Sequence, residues 1–270
     1  MAAVASERKN ENAMEFVLIS FISFIAAILT FFSGFGLGTI LTPVFMAFFP
    51  AGMAVALTGV VHFFNNLFKL VLTARHIDRE VALRFGLPAV IFAFLGAWVL
   101  LQITELPPLF QYALSGRVFE VYPVKFGVAM LLIFFALVEV VPGLNKISFG
   151  RDKLPLGGIL SGFFGGLCGN QGALRSAFLI KAGLSREAFI GTSVAISFFV
   201  DLSRLSVYAG SFARSGLGEN LGIVACATIS AITGAYLGNK LLKKVTLQVL
   251  QKVVAAMLII FSLALGMGLL

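Results

Sequence analysis

The sequence predicts an all-α membrane protein: a duplicated helical bundle with two glycine-broken, re-entrant segments and inverted halves. Of its 270 residues 59% are hydrophobic and 12% charged, and the mean hydropathy is +1.02, which is too apolar for a soluble domain. Its apolar runs reach the roughly 20 residues of a helical span and lack the alternation of a membrane barrel. The third observation is a glycine-rich break, Gly162 to Gly172, followed by Arg175 inside an apolar region.

The net charge of +8 comes from basic residues that lie mostly between the apolar segments, where positive charge marks the cytoplasmic side. We therefore predict no nucleic-acid partner. Cys168 and Cys226 lie in apolar segments without CxxC spacing, so neither a disulfide framework nor a metal site is predicted, and no cofactor is implied. The sequence contains no GxxxxGK[ST], HExxH or GxSxG motif, which argues against ATP hydrolysis and against an enzyme.

The chain divides into a polar N-terminal tail (1–15), a first membrane repeat (16–141), a polar linker (142–155) and a second membrane repeat (156–270). Each repeat runs in the same order: a broken segment, a polar-striped helix, a small-residue helix and an apolar helix. The predicted segments are 16–49, 51–74, 81–103 and 124–141 in the first repeat, and 156–183, 188–208, 221–242 and 249–270 in the second.

Sliding the chain along itself supports a duplication. At one offset Gly38 matches Gly172 and Thr58 matches Thr192, and at a slightly shorter one residues 129–131 match 256–258. Agreement in consecutive order over a whole half is typical of duplicated chains, and duplicated halves are a common plan of transporters.

The distribution of basic residues distinguishes two orientations of the halves. If every segment crosses the membrane once, the basic residues are split almost evenly between its two sides. If each broken segment returns to the side from which it enters, most basic residues share one side, as the positive-inside rule prefers. As helices, the arms 156–168 and 173–183 are only about 20 Å and 16 Å long, whereas the hydrocarbon core is about 30 Å thick. The sequence therefore predicts re-entrant hairpins and inverted halves.

Glycine-rich motifs open each half and are followed by recurring small residues. They are Gly34-Phe-Gly-Leu-Gly38 with Pro43, Ala54 and Thr58, and Gly165-Gly-Leu-Cys-Gly-Asn-Gln-Gly172 with Ala188 and Gly191-Thr192-Ser193. On these residues the chain resembles the TauE/SafE sulfite exporter family over nearly its whole length. The resemblance implies a duplicated bundle that moves sulfite, sulfoacetate and other organosulfur anions across the bacterial inner membrane. The chain departs from the family pattern where Ala177 replaces the counterpart of Pro43 and Arg175 stands opposite Leu41.

The two breaks are the predicted anion site, because unwound backbone and helix N-termini expose N–H groups that attract anions. Arg175 adds a fork of donors suited to sulfonate, sulfite or carboxylate oxygens. The alternative is that the glycines only allow close helix packing, and Arg175 favours the anion site over it. The predicted binding residues are Gly36, Gly38, Thr39, Gly169, Asn170, Gln171, Gly172 and Arg175.

Polar side chains at helical spacing form one stripe in each half, and such stripes face a bundle interior or an aqueous cavity. From these stripes we predict further binding residues, with simple helix-to-helix hydrogen bonding as the alternative. The predicted residues are Thr58, Asn65 and Asn66 in the first half, and Thr192 and Ser193 in the second.

Asp201 and His62 are candidates for coupling. Asp201 either neutralises an arginine, Arg204 being three residues away, or carries a coupling proton. His62 is either a packing residue or a proton carrier. Lys69, near the end of its helix, is predicted to extend towards the membrane interface, and Arg204 either does the same or pairs with Asp201.

Together these observations predict a multi-pass secondary transporter of small sulfur-containing anions, in which one half rocks against the other to alternate access. Its predicted partners are a small anionic substrate and the lipid bilayer, and a homodimer is one possible assembly. An anion channel on the same scaffold is the main alternative, and a membrane enzyme or assembly factor is a weaker one.

Overall fold

The fold is mostly helical. The computed structural model describes residues 2–33, 36–141, 143, 149–212, 220–241 and 247–270. Its helices are α1 (Ala2–Ser33), α2 (Leu37–Met46), α3 (Ala51–Thr73), α4 (Arg79–Thr104), α5 (Pro123–Val140), α6 (Leu154–Cys168), α7 (Gly172–Leu179), α8 (Arg186–Phe212), α9 (Leu221–Leu241) and α10 (Leu247–Gly266). Short 3-10 turns lie at Ala74–His76 and Arg151–Lys153.

Four helical stretches of the described chain are long and apolar enough to cross a membrane: Ala51–His76, Arg79–Thr104, Arg186–Gly210 and Leu221–Gly238. Shorter apolar helices cover Met14–Thr30, Leu37–Met46, Pro123–Val138 and Lys252–Gly266. The protein is therefore a multi-pass membrane protein. The arms around the second break, α6 and α7, are shorter than the hydrocarbon core is thick.

The all-α prediction is wrong between α4 and α5, where β1 (Phe110–Leu114) and β2 (Arg117–Val121) pair antiparallel. Ser115 and Gly116 both have positive φ, as the central residues of a tight two-residue hairpin require. The predicted polar tail belongs to α1, which begins at Ala2. The linker ends in the first turn of α6, and residues 142 and 144–148 lie outside the described chain.

Two helix pairs that match in the predicted repeats pack antiparallel. In the α3–α8 pair, the ring of Phe63 stacks on that of Phe198 with centroids 4.9 Å apart. The C-terminal end of α3 lies against the N-terminal end of α8, since a Cβ on Gly191 would be 2.8 Å from the carbonyl oxygen of Thr73. In the α5–α10 pair, Lys125 Nζ near the start of α5 donates to the carbonyl oxygen of Leu270 at 2.8 Å.

Further extensive contacts join parallel helices across the repeats, among them those of α4 with α6 and of α1 with α9. Glycines make these approaches possible, because a Cβ in their place would overlap the backbone of the facing helix. In α6, Gly158, Gly162 and Gly166 lie against the carbonyls of Phe85, Ala89 and Ala93 of α4. In α9, Gly234 lies against the carbonyl of Phe24 of α1. We call these two contacts the glycine seams.

Helices α6 and α7 form a hairpin around the second break. Gly169 ends α6 in the left-handed conformation, with φ of 76°. The chain then doubles back, so that Phe178 lies against Gly157 near the start of α6. The ends are held together by Arg151, whose Nε donates to the carbonyl oxygen of Ala182 at 2.7 Å.

Candidate functional site

The two glycine breaks contact each other in the middle of the bundle. A Cβ on Gly38 would lie 2.8 Å from the carbonyl oxygen of Gly169, so only glycine allows this approach. Thr39 Oγ1 donates to Asn170 Oδ1 at 3.1 Å, and Thr42 Oγ1 donates to the carbonyl oxygen of Cys168 at 3.2 Å. The predicted residues of the two breaks thus lie together.

Asp201 of α8 is fully buried beside the breaks, and both of its oxygens are occupied. Oδ2 lies 2.7 Å from His62 Nδ1 and accepts from Asn66 Nδ2 at 2.9 Å. Oδ1 accepts from Arg204 Nε at 3.0 Å and lies 2.8 Å from Arg204 Nη2. Pairing with an arginine was one of the two alternatives for Asp201, and the structure shows it with Arg204 as the partner.

Arg204 is buried rather than at the interface, so of its two alternatives the structure shows the pairing with Asp201 and not the extension to the membrane surface. Its side chain turns back to Asp201 and reaches the second break, where a Cβ on Gly169 would lie 3.0 Å from Nη1. Gly59 of α3 leaves space for the guanidinium group on the other side. Nη1 itself has no hydrogen-bond acceptor among the described residues.

Arg175 of α7 is also buried, with 8% of its surface exposed. Its Nη1 donates to Ser197 Oγ of α8, and its Nε has no acceptor within the described parts of the chain. Lys69 of α3 is 9% exposed, which contradicts its predicted place at the interface. Arg175, Lys69 and Arg204 thus all lie in the interior of the bundle.

Uncharged polar groups in the same interior also lack hydrogen-bond partners in the described structure. Unsatisfied buried polar atoms are costly in a folded protein, and a bound ligand or water is the usual way to satisfy them. The atoms are Asn170 Nδ2, both amide atoms of Gln171, both amide atoms of Asn65, Thr58 Oγ1 and Ser193 Oγ.

The remaining predicted residues take different positions. Gly36, with φ of 82°, precedes α2, and a Cβ there would lie 3.8 Å from His62 Nε2. Gly172 is the first residue of α7. Thr192 lies apart from the breaks, at the start of α8, where its Oγ1 accepts from the backbone N–H of Asp78 at 2.9 Å.

Two residues that hold the second break in shape are absent from the residues predicted from the sequence. Ser161 Oγ donates to the carbonyl oxygen of Gln171 at 3.0 Å, and Tyr208 Oη donates to that of Gly166 at 2.6 Å. Tyr208 continues the stripe of Asp201 and Arg204 at helical spacing, which is a usable signal. Ser161 has no such signal, because serine is common in membrane helices.

A family model described as Sulfite exporter TauE/SafE matches residues 19–265, which is most of the chain. No curated protein and no solved structure matches the chain.

Proposed function

Since the chain belongs to the TauE/SafE sulfite exporter family, and is thus a membrane transporter and not an enzyme, we propose that it carries small sulfur-containing anions. The proposed substrates are sulfite, organosulfonates or related organosulfur acids. The proposed route is secondary transport across the cell inner membrane, with the gradient of an ion or of the substrate itself as the driving force.

The observation that carries this proposal is the set of buried donors without acceptors at the meeting point of the two breaks. Arg204 Nη1, Arg175 Nε and Asn170 Nδ2 are all donor atoms, and none has an acceptor in the described chain. Charge-assisted hydrogen bonds from guanidinium groups suit the oxygens of sulfite and sulfonate. An anion at this place would satisfy groups that the protein alone leaves unsatisfied.

Alternating access is the proposed mode of transport, on inverted halves with re-entrant hairpins. Its support is the antiparallel packing of α3 on α8 and of α5 on α10. Helices that match in the two repeats and cross a membrane in opposite directions are the signature of an inverted duplication. The hairpin α6–α7, whose two ends lie together, supports a re-entrant second break.

Asp201 and His62 remain the proposed coupling residues. The short contact between His62 Nδ1 and Asp201 Oδ2 joins a titratable base to a carboxylate within the site. A proton taken up by this pair would change the charge felt by Arg204, and hence by an anion bound to it. In this way proton binding and anion binding are linked.

The test is counterflow in proteoliposomes that contain the purified protein and labelled sulfite. We expect saturable uptake, accelerated by internal sulfite and inhibited by competing taurine, sulfoacetate or a thiol acid if these are substrates. Unitary currents without counterflow would identify a channel instead. No flux of any sulfur anion, from protein shown to be folded, would contradict the proposed function.

A further inference from the structure

The connection from α4 to α5, residues 105–122, carries a large exposed apolar surface around the β-hairpin. Five of its large apolar side chains are between 46% and 66% exposed. On a protein surface, a concentration of such side chains marks a contact with another molecule or with a membrane. The five are Leu106, Leu109, Phe110, Leu114 and Val118.

These side chains lie on both faces of the hairpin. Phe110 and Leu114 share one face, because side chains alternate along a strand and both stand at even spacing on β1. Val118 of β2 pairs with Ala113 and therefore lies on the other face. A protein partner that docked on the hairpin would cover one face, whereas lipid surrounds an immersed element on both. The exposure of both faces favours lipid as the occupant.

The hairpin lies across the end of the α5–α10 pair. In the middle of β1, Tyr112 Oη donates to the carbonyl oxygen of Met267, the residue that follows α10, at 2.6 Å. A Cβ on Gly268 would lie 2.5 Å from the carbonyl oxygen of Glu120 in β2. Since α5 begins at Pro123, directly after the hairpin, both strands are held close to the ends of these two helices.

The apolar stretches of α5 and α10 are shorter than the hydrocarbon core. In the sequence, residues 126–138 of α5 lie between Lys125 and Glu139, and residues 253–266 of α10 follow Lys252. As helices, each stretch is about 20 Å long, whereas the core is about 30 Å thick. A bilayer of ordinary thickness is matched only where apolar surface continues beyond the helix ends. The hairpin provides such a surface at one end.

The charges of the hairpin are arranged to suit a phospholipid surface. Between residues 106 and 121 the sequence has two charged side chains, Arg117 and Glu120. The carboxylate of Glu120 is engaged within the connection, where it accepts from Gln111 Nε2 at 2.7 Å and from Tyr122 Oη at 2.6 Å. Arg117, next to the turn, is exposed, and its guanidinium group suits the phosphate of a lipid headgroup.

We propose that the hairpin is immersed in the lipid leaflet at the ends of α5 and α10, with its apolar side chains among the upper acyl chains and Arg117 at the phosphates. Its partner is the phospholipid itself, which goes beyond the proposed transport. The hairpin stays at the boundary of the leaflet, because the outer edges of a two-stranded sheet carry N–H and C=O groups that hydrocarbon does not satisfy. The turn at Ser115 remains in contact with water.

The test measures the depth of the hairpin with an environment-sensitive fluorophore. In a full chain that lacks Cys168 and Cys226, the fluorophore is attached to Leu114→Cys or to Val118→Cys, one on each face, and to Asp152→Cys as the water-exposed control. The proteins are reconstituted in vesicles of phosphatidylcholine and phosphatidylglycerol. We expect both hairpin positions to be quenched by lipids with a doxyl group near the headgroup, and to be quenched by aqueous iodide several-fold less than position 152.

Two results would overturn the proposal. Quenching by iodide at both hairpin positions as strong as at Asp152→Cys would show that the hairpin projects into water. Protection of either hairpin position from both iodide and doxyl lipid would show that a protein, such as a second copy of this chain, covers that face.

A variant with a more polar hairpin tests the contribution of the apolar surface. Leu114→Ser/Val118→Ser should lower the melting temperature by several degrees in bilayers of long-chain phosphatidylcholine and by less in short-chain bilayers, where α5 and α10 are already long enough. Ser115→Asn is the matched control, since asparagine tolerates the positive φ of the turn and removes no apolar surface. Equal losses of the double variant in thick and thin bilayers, or no loss in either, would contradict the immersed hairpin.

Discussion

At the scale of single residues, the two buried arginines differ in what holds them in place. Arg204 is fixed by two contacts to the carboxylate of Asp201, whereas Arg175 is held by one hydroxyl, that of Ser197. Removing the partner of a buried charge is far more damaging than removing a charge that has no counter-ion. The two arginines should therefore respond to mutation in opposite ways.

Arg175→Leu should keep the protein folded, because no described carboxylate is left without its partner, but it should abolish anion binding. Arg175→Lys should weaken binding, since a point charge does not reproduce the guanidinium fork. The measurement is the rise in melting temperature on adding sulfite to purified variants, with Arg84→Gln as the matched control. A folded Arg175→Leu protein that sulfite still stabilises would contradict the assignment.

Asp201→Ala should destabilise the fold, because it leaves Arg204 buried without a counter-ion. The expected cost is about 3 to 5 kcal/mol. The double variant Asp201→Ala/Arg204→Met should recover most of that loss, since neither charge remains. The measurement is the melting temperature of the wild type, the single variant and the double variant in the same detergent. An Asp201→Ala protein as stable as the wild type would show that the ion pair is not structural.

Asp201→Asn tests the coupling role separately, because an amide retains the size of the carboxylate but does not titrate. If Asp201 carries a proton, this variant should lose the pH dependence of sulfite counterflow. His62→Gln should change the pH dependence of counterflow as well, since His62 Nδ1 contacts Oδ2 of the Asp201 carboxylate. Normal transport with an unchanged pH profile in Asp201→Asn would exclude the coupling role, and the ion pair with Arg204 would be the remaining role of Asp201.

The polar stripes and the glycine breaks could be read from spacing, and the structure brings most of their residues together. Spacing did not predict the contacts of Asp201 with His62 and Asn66 of the other half, or the burial of Lys69. Those depend on the register of α3 against α8, which sets Asp201 level with His62. Register between helices is a tertiary property that a single segment does not encode.

At the scale of elements, the glycine seams determine how closely the helices approach. Three glycines of α6 lie one turn apart against carbonyls of α4, so the seam has the regular spacing of a small-residue motif. The sequence left two roles open for the glycines near the second break, an anion site and close helix packing. The three glycines of this seam serve packing, whereas Gly169 and its neighbours belong to the proposed site.

Gly162→Val should prevent stable packing of α6 on α4, because its Cβ would overlap the backbone of Ala89. Gly127 of α5 offers the matched control, since a Cβ there would meet no atom within 4 Å. Gly127→Ala should cost nothing and could add up to about 1 kcal/mol through helix propensity. Melting temperatures measured by size-exclusion chromatography after heating test the pair, and equal melting of both variants would contradict the seam.

The β-hairpin is the element that the prediction of an all-α fold missed. The high hydropathy of the chain favours helices, but Ser115-Gly116 stands between two runs rich in aromatic and β-branched residues, which is a hairpin pattern. Its strands pair in register, with Tyr112 opposite Phe119, and Tyr112 Oη donates to the carbonyl oxygen of Met267 at 2.6 Å. Short-range turn chemistry was present in the sequence and outweighed the general expectation of helices.

At the scale of the whole molecule, the proposed inverted topology fixes which loops share a side. Nη1 of Arg151, in the linker, lies 3.9 Å from Oε2 of Glu80 at the start of α4. The linker and the loop that precedes α4 therefore lie at the same end of the bundle. The β-hairpin follows α4, a helix of 26 residues or about 39 Å, and should lie on the opposite side.

Labelling with a membrane-impermeant thiol reagent should reproduce this arrangement. In a background that lacks Cys168 and Cys226, Arg79→Cys and Asp152→Cys should be labelled from one side of oriented vesicles, and Ser115→Cys from the other. All three positions are exposed in the structure. Labelling of Arg79→Cys and Asp152→Cys from opposite sides would end the inverted topology.

The glycine seams also have a mechanical consequence. They join α4 of the first repeat to α6 of the second, and α9 of the second to α1 of the first, through backbone contacts that leave no room to slide. If one repeat rotated as a rigid body relative to the other, the helix contacts of both seams would have to break. We therefore expect two moving bodies, each of which contains helices from both repeats. The boundary between these bodies should pass through the contact between Gly38 and Gly169, where the anion is proposed to bind.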